Sequence, residues 1–304
     1  MPEVHMLGPI SALASSATWA IGSAQYSRLS HSYSAFAVNF ARGLLAFPLF
    51  FIFSFVLAGG VTEGLTQFAE VSRVRFAWFA LSMIASYGLG DVLFLWSTRA
   101  IGVPTALAIA SGYPLWTAAA GAVFRGESLS ILQLLGLFIT VAGVVLVIMN
   151  SPRNEEHRSI SNLRKGVILA LLTSVCWATN SFSSAEGGQG LSAPVANSIR
   201  MIFAMIFSAG FGWLFLPKAS LLLPRKEMVS NLWVFVLEAF GGSYFYMYGL
   251  THSPLAVGAT LASLAPVLSV PVAWAMGLEK FSFPRTFSIC LVALGVSLLV
   301  GAAG

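Results

Sequence analysis

The chain has 304 residues, of which 57% are hydrophobic and only 9% carry a charge. A soluble domain carries roughly 25% charged residues, so this chain cannot coat itself with solvated groups, and lipid is its expected solvent. The net charge of +5 comes from 16 Lys and Arg scattered against 11 acids; with no basic run along one face, a nucleic-acid partner is excluded.

About 20 apolar residues cross a bilayer core. On that measure ten spans are expected, at roughly 7–27, 35–57, 76–98, 103–124, 130–149, 164–184, 194–216, 230–250, 255–277 and 285–302. No Lys or Arg precedes the first, so it is not read as a signal peptide. Span 1 carries Ser16, Trp19, Ser23 and Tyr26 along one helix face. Such a polar-aromatic stripe does not face lipid cheaply, which leaves cavity lining or helix packing. Span 2 holds Asn39 and Arg42, three apart and therefore on one face. Span 3 holds Tyr87 and, four residues on, Asp91. Span 4 contains Ala106, Ala110, Tyr113, Pro114 and Thr117. A proline inside a membrane helix frees a carbonyl and kinks the helix, so Pro114 is a candidate hinge. The longest loop, Asn150–Leu163, is the one expected linker.

The second half returns the same signals. Span 6 carries Ser174, Trp177, Ser181 and Ser184, with Asn180 beside them; span 7 carries Asn197 and Arg200. Span 8 has Glu238 near its centre, followed by Gly241-Gly242, which loosen the helix or admit a close neighbour. Span 9 contains Thr260, Ser263 and Pro266, the last a second candidate hinge. Cys176 and Cys290 fit no metal spacing and read as small buried hydrophobes. The four histidines, His5, His31, His157 and His252, fall at termini or loops and assemble no metal or hydrolytic site.

These echoes are an internal repeat. Gly8, Ala12-Leu13, Ser16, Trp19-Ala20, Ser23, Ser34-Ala35, Asn39 and Arg42 return 158 residues later; Pro114, Glu127 and Gly143 return as Pro266, Glu279 and Gly295, 152 residues later. The expected domains are a first repeat over 1–150, a linker over 151–163 and a second repeat over 164–304. Five spans in each make an odd number, so the second copy enters the membrane from the opposite side and both termini share a side. The expected fold is an all-α integral membrane protein of ten transmembrane helices in two inverted five-helix repeats, with a binding site near midplane. The loops after odd spans hold about eleven Lys and Arg and the others about three, which puts the termini outside by the positive-inside rule.

Ionisable residues inside a membrane are functional candidates by default. Glu238 and Asp91 are the acids well inside spans. Glu238 lacks a repeat counterpart, its equivalent being Ser86. It is read as an unpaired carboxylate that carries a coupling proton, with Asp91 next in line; a protonated or arginine-paired structural acid is the alternative. Arg42 and Arg200 recur in both halves and are structural or anion-binding. The expected substrate-binding set is Trp19, Ser23, Tyr87, Asp91, Tyr113, Trp177, Asn180, Glu238 and Ser263. Gly88-Leu89-Gly90-Asp91 also matches the GxGD pattern of intramembrane aspartyl proteases, but that chemistry needs two aspartates and Asp91 is the only one.

Ser-x-x-Trp-Ala, Asn-x-x-Arg, a proline helix ending Gly126-Glu127 and a helix bearing Gly143, the last parts repeated at Pro266, Glu279 and Gly295, resemble the drug/metabolite transporter superfamily, EamA type. The resemblance covers all ten spans. It implies a bundle that moves small metabolites, often as an exporter, with helices 1, 3, 4, 6, 8 and 9 around the cavity and cytoplasmic termini; the loop charges point the other way, so orientation stays open. The small multidrug resistance branch uses a carboxylate in its first helix, and here that span has none.

The expected function is secondary transport of a small organic metabolite such as an amino acid across the plasma (inner) membrane, by alternating access and coupled to protons. No phosphate-binding loop of the G-x-x-x-x-G-K-[ST] type occurs, and no cofactor, metal or catalytic residue is expected. A sugar or phosphorylated-sugar exchanger is the alternative transporter, and an intramembrane enzyme or a non-transporting receptor the alternatives from other classes.

Overall fold

The computed structural model describes residues 3–101, 103–150, 160–218, 220–275 and 282–301, and all regular structure among them is helical. The first half contains α1 (Glu3–Ser32), α2 (Ala35–Ala58) and a short α3 (Val61–Ala69). There follow α4 (Arg73–Met83), a π-helical turn (Ile84–Gly88), α5 (Gly90–Ile101), α6 (Val103–Ala110), α7 (Tyr113–Arg125) and α8 (Ile131–Met149). The second half contains α9 (Ile160–Gly188), α10 (Ala193–Phe215), a short α11 (Arg225–Ser230), α12 (Leu232–Val234), a second π turn (Phe235–Gly242), α13 (Ser243–Thr251), α14 (Leu255–Ala262), α15 (Ala265–Ala275) and α16 (Phe283–Gly301). Among the described residues, seven helices are long and apolar enough to cross a membrane, and the apolar run Leu255–Pro271 is shorter. Most of the expected linker, residues 151–159, lies outside the described residues, as does Glu279.

The ends follow local chemistry. Ser34 caps α2 by accepting from the Ala37 amide at 3.1 Å, and Gly59 closes it at φ 82°, a conformation in which a side chain is strained. Ser130 and Gln133 form a reciprocal capping box at the start of α8.

Two expectations change. Spans 3 and 8 are not plain α-helices: each widens into a π turn, and the two turns fall at matching places in the repeat. Spans 4 and 9 are not kinked helices but interrupted ones. Ser111-Gly112 separates α6 from α7, and Ser263-Leu264 separates α14 from α15. Pro114 and Pro266 therefore sit in the first turn of α7 and α15, where a missing N–H leaves nothing unpaired. A proline cannot donate to the carbonyl four residues back and its ring clashes with it, so the preceding helix stops ahead of the ring instead of running through it.

The two halves interlock. α1 packs against the second π turn, α13, α14 and α15, while α9 packs against α4, the first π turn, α5, α6 and α7. α2 packs on α10, and α8 on α16. Glycines permit these approaches: a Cβ at Gly249 would stand 2.7 Å from the Ala12 amide nitrogen, and one at Gly136 2.6 Å from the Gly295 carbonyl. In lipid, where apolar area alone gives helices little reason to associate, such close backbone contact is a main source of cohesion. The first helix of each half is thus seated in the other half, and the polar residues of both halves meet between them. Cys290 departs from its expected burial, since it lies on the exposed face of α16, while Cys176 is half-buried.

Candidate functional site

Arg42 on α2 reaches across to the second half. Its Nη2 donates to both oxygens of Glu238, at 3.0 and 3.1 Å, and each side chain is only 8% exposed. Its Nη1 donates to Asn39 Oδ1 at 3.1 Å, the partner that the spacing of three predicts. Asn39 Nδ2 then donates to Asp91 Oδ2 at 3.0 Å. The Arg42 guanidinium carbon lies 4.5 Å from the ring centre of Tyr87, 4.8 Å from Tyr26 and 5.4 Å from Trp19. Aromatic faces attract a cation, so three rings and a carboxylate enclose this one.

Glu238 is therefore not the unpaired carboxylate that its lack of a repeat counterpart suggests. Its counter-ion comes from the other half, 196 residues away, because α2 packs on the second π turn. Burying either charge alone would be costly, and pairing them through charge-assisted hydrogen bonds from Nη2 offsets that. Asp91 and Glu238 are each engaged by their own donor, Asn39 and Arg42, and not by each other as a protease dyad requires.

Arg200 on α10 repeats the clamp with other neighbours. Its Nη1 donates to Asn197 Oδ1 at 2.8 Å, its Nη2 to Asn180 Oδ1 at 3.2 Å, and its Nε to Ser82 Oγ at 3.3 Å. Asn180 Nδ2 donates to the Tyr246 hydroxyl at 3.1 Å, which Ser181 Oγ also meets at 2.8 Å. The Arg200 guanidinium stands 5.8 Å from the Tyr246 ring centre. Arg200 is buried, and among the described residues no carboxylate pairs with it. The repeat explains the difference. Glu238 and Asp91 correspond, 152 residues apart, to Ser86 and Ser243, so both acids near Arg42 are serines on the Arg200 side.

The interrupted helices meet at their breaks. The Tyr113 hydroxyl, at the start of α7, donates to the Ala259 carbonyl on α14 at 3.1 Å. Trp177 stands edge-on to Tyr113, ring centres 6.1 Å apart at 89°, and its indole lies close against Gly90, the residue before Asp91. Tyr113 and Trp177 thus bring the breaks up to Gly90, where the cluster of Asp91, Asn39, Arg42 and Glu238 begins.

Of the expected binding residues, Trp19, Tyr87, Asp91 and Glu238 gather around Arg42, Tyr113 and Trp177 adjoin them, and Asn180 belongs to the Arg200 group. Ser263 instead donates to the Thr260 carbonyl at 2.7 Å and finishes its own helix. Ser23 lies on α1, but its side chain falls outside the described residues. Trp19 is 38% exposed although its ring stands over Arg42, so its open face adjoins the cluster. Tyr246 and Ser82 were missed; the tyrosine-rich run Ser243–Tyr248 is the signal that pointed to the first.

A second charged group lies at the ends of α7, α9 and α14. Arg125 donates to Glu186 and, at 3.3 Å, to Glu127, and Glu127 Oε2 accepts from the Leu255 amide at 3.0 Å, capping α14. Repeat matching singled out Glu127, while its partners come from folding.

None of the curated proteins matches the sequence significantly. A solved structure described only as the crystal structure of a protein superposes with a TM-score of 0.71 at 17% identity, covering 97% of this chain and 95% of that one; at that identity the likeness concerns the fold. The profile of the EamA-like transporter family matches twice, over residues 6–149 and 164–301. With both halves matched, the chain belongs to the EamA-like transporter family, and is a multi-pass membrane transporter of the drug/metabolite type.

Proposed function

We propose that the protein exports a small organic metabolite, such as an amino acid, across the plasma membrane by alternating access, coupled to protons. Ten crossings in two inverted halves carry the movement. The substrate site lies between the halves, where Trp19, Tyr87, Asp91, Tyr113, Trp177, Asn180 and Glu238 converge. The observation that supports this reading most is the buried Arg42–Glu238 pair, since it joins the halves at the point where they must part. Protonating Glu238 removes the charge that holds Arg42 and loosens that tie. The breaks ahead of Pro114 and Pro266 act as hinges, because interrupted membrane helices are where irregular backbone lines a transport path.

A phosphorylated-sugar exchanger fits less well. A dianionic phosphate calls for more than one cation, and Arg42 is already neutralised by Glu238.

The test is proteoliposome transport. Glu238→Gln should still exchange substrate across the vesicle membrane yet lose accumulation driven by a pH gradient. Unchanged accumulation would discard Glu238 as the coupling group and make Asp91 next. Reporters fused to both termini should give the same side; opposite sides would overturn the inverted arrangement.

A further inference from the structure

Arg200 is a buried cation held ready by neutral groups. Three of its nitrogens donate, to Ser82, Asn197 and Asn180, and none of these acceptors carries a charge. Its twin Arg42 has a carboxylate counter-ion, both oxygens of which accept from Nη2, as a buried charge normally requires. The sequence removes both acids on the Arg200 side, placing Ser86 where the repeat has Glu238 and Ser243 where it has Asp91. Behind Asn180 stand further hydrogen-bonding groups, the Tyr246 hydroxyl, to which the Asn180 amide donates, and the Ser181 hydroxyl beside it. Asn180 and Tyr246 are only half-buried. Arg200 is also near the Arg42 cluster, because Tyr87, whose ring centre lies 4.5 Å from the Arg42 guanidinium, belongs to the same buried cluster as Ala204, one turn on from Arg200.

We propose that Arg200 receives the carboxylate of the transported molecule, and that Arg42, spent on Glu238, does not contact it. This rests on the transporter reading and specifies its substrate class as organic monocarboxylates. An incoming carboxylate takes over Nη2 and Nε from Asn180 and Ser82 and exchanges two neutral acceptors for a charge-assisted, two-pronged pair. The released Asn180 amide, with Tyr246, then hydrogen-bonds to the ligand. One uncompensated positive charge matches one carboxylate; a phosphate monoester would bring a second negative charge with nothing to meet it.

The full-length protein in lipid nanodiscs is screened by thermal shift and calorimetry against paired probes: phenylalanine, leucine and 3-phenylpropionate, each beside its primary amide, with phenyl phosphate as the third class. Expected is stabilisation by at least one carboxylate that its amide does not reproduce, weakened at least about tenfold in Arg200→Met, since a hydrogen bond to a charged group is the strong kind. Ser86→Glu covers the case in which Arg200→Met does not fold, because it keeps Arg200 and supplies an internal counter-ion; it should weaken the same carboxylate comparably. Equal binding of every acid and its amide, tighter binding of phenyl phosphate, or full carboxylate affinity in folded Arg200→Met or Ser86→Glu would each overturn the assignment. Transport of the same probes into vesicles separates the two readings: movement of amides untouched by Arg200→Met sinks the carboxylate site and leaves a transporter, whereas carboxylate binding with no movement of any probe counts against transport and leaves the site.

Discussion

Arg42 and Arg200 occupy the same position in the two halves, each donates from Nη1 to the asparagine one turn earlier, and there the likeness stops. Around Arg42 the neighbours are Glu238, Asp91 by way of Asn39, and three aromatic rings. Around Arg200 they are amides and hydroxyls. The asparagine-arginine clamp is shared scaffold: in both halves the asparagine also reaches a carbonyl on the facing span, Tyr87 for Asn39 at 3.5 Å and Ser243 for Asn197 at 2.9 Å. Chemistry was differentiated on top of that scaffold by exchanging acid and serine at two positions near the π turns. A repeat protein can therefore keep its architecture twice and its charge once.

The sharpest way to break this comparison is to remove each arginine. Arg42→Met strands the Glu238 carboxylate, and losing one partner of a buried ion pair costs about 3–5 kcal/mol. Thermal melts in detergent should show a large drop, and the double variant Arg42→Met/Glu238→Met should recover most of it. Arg200→Met strands only neutral acceptors, for which about 1–3 kcal/mol is expected. Equal losses at the two sites would mean that Arg200 has a charge partner after all.

A second pair probes what the halves share. Gly90 and Gly242 are repeat equivalents, 152 apart. A Cβ on Gly90 would lie 3.1 Å from Trp177 Cδ1, and one on Gly242 2.5 Å from Thr18 Oγ1. Gly90→Ala and Gly242→Ala should both destabilise by about 1–3 kcal/mol through overpacking. Gly241→Ala, with its nearest neighbour at 3.5 Å, should be nearly silent in the same melts. The smallest effect is expected at Trp19: Trp19→Leu removes one of three rings over Arg42, about 0.5–2 kcal/mol, and should weaken substrate binding more than stability.

The repeat, the buried charges and the proline positions were legible in the sequence because each is a composition or spacing signal. Asn39 with Arg42, and Asn197 with Arg200, were readable as same-face pairs for the same reason. The Arg42–Glu238 pair was not, since it depends on how α2 of one half sits against span 8 of the other, and no local pattern encodes a partner 196 residues away. The π turns were hidden too: Ile84–Gly88 and Phe235–Gly242 are apolar enough to continue a helix, and only the tertiary contacts of their flanks reveal the extra residue. The breaks in spans 4 and 9 lay between these extremes. Pro114 and Pro266 marked the places, but a proline at a helix start and one inside a kinked helix look alike in sequence.

The first π turn closes with the Leu89 amide bonded to the Ile84 carbonyl at 2.7 Å, five residues back instead of four. One surplus residue rotates all that follows by about 100°, the angle each residue takes in an α-helix. Asp91, two residues downstream of that bond, therefore owes its aim at Asn39 to chain length as much as to its own chemistry. Deleting one residue within Ile84–Gly88 would restore an ordinary helix and swing Asp91 off its partner, while the same deletion between α3 and α4 would leave the site untouched. Single-residue deletion scanning that spares Tyr87, a genetic ruler that removes no side chain of the site, would read that stored angle directly.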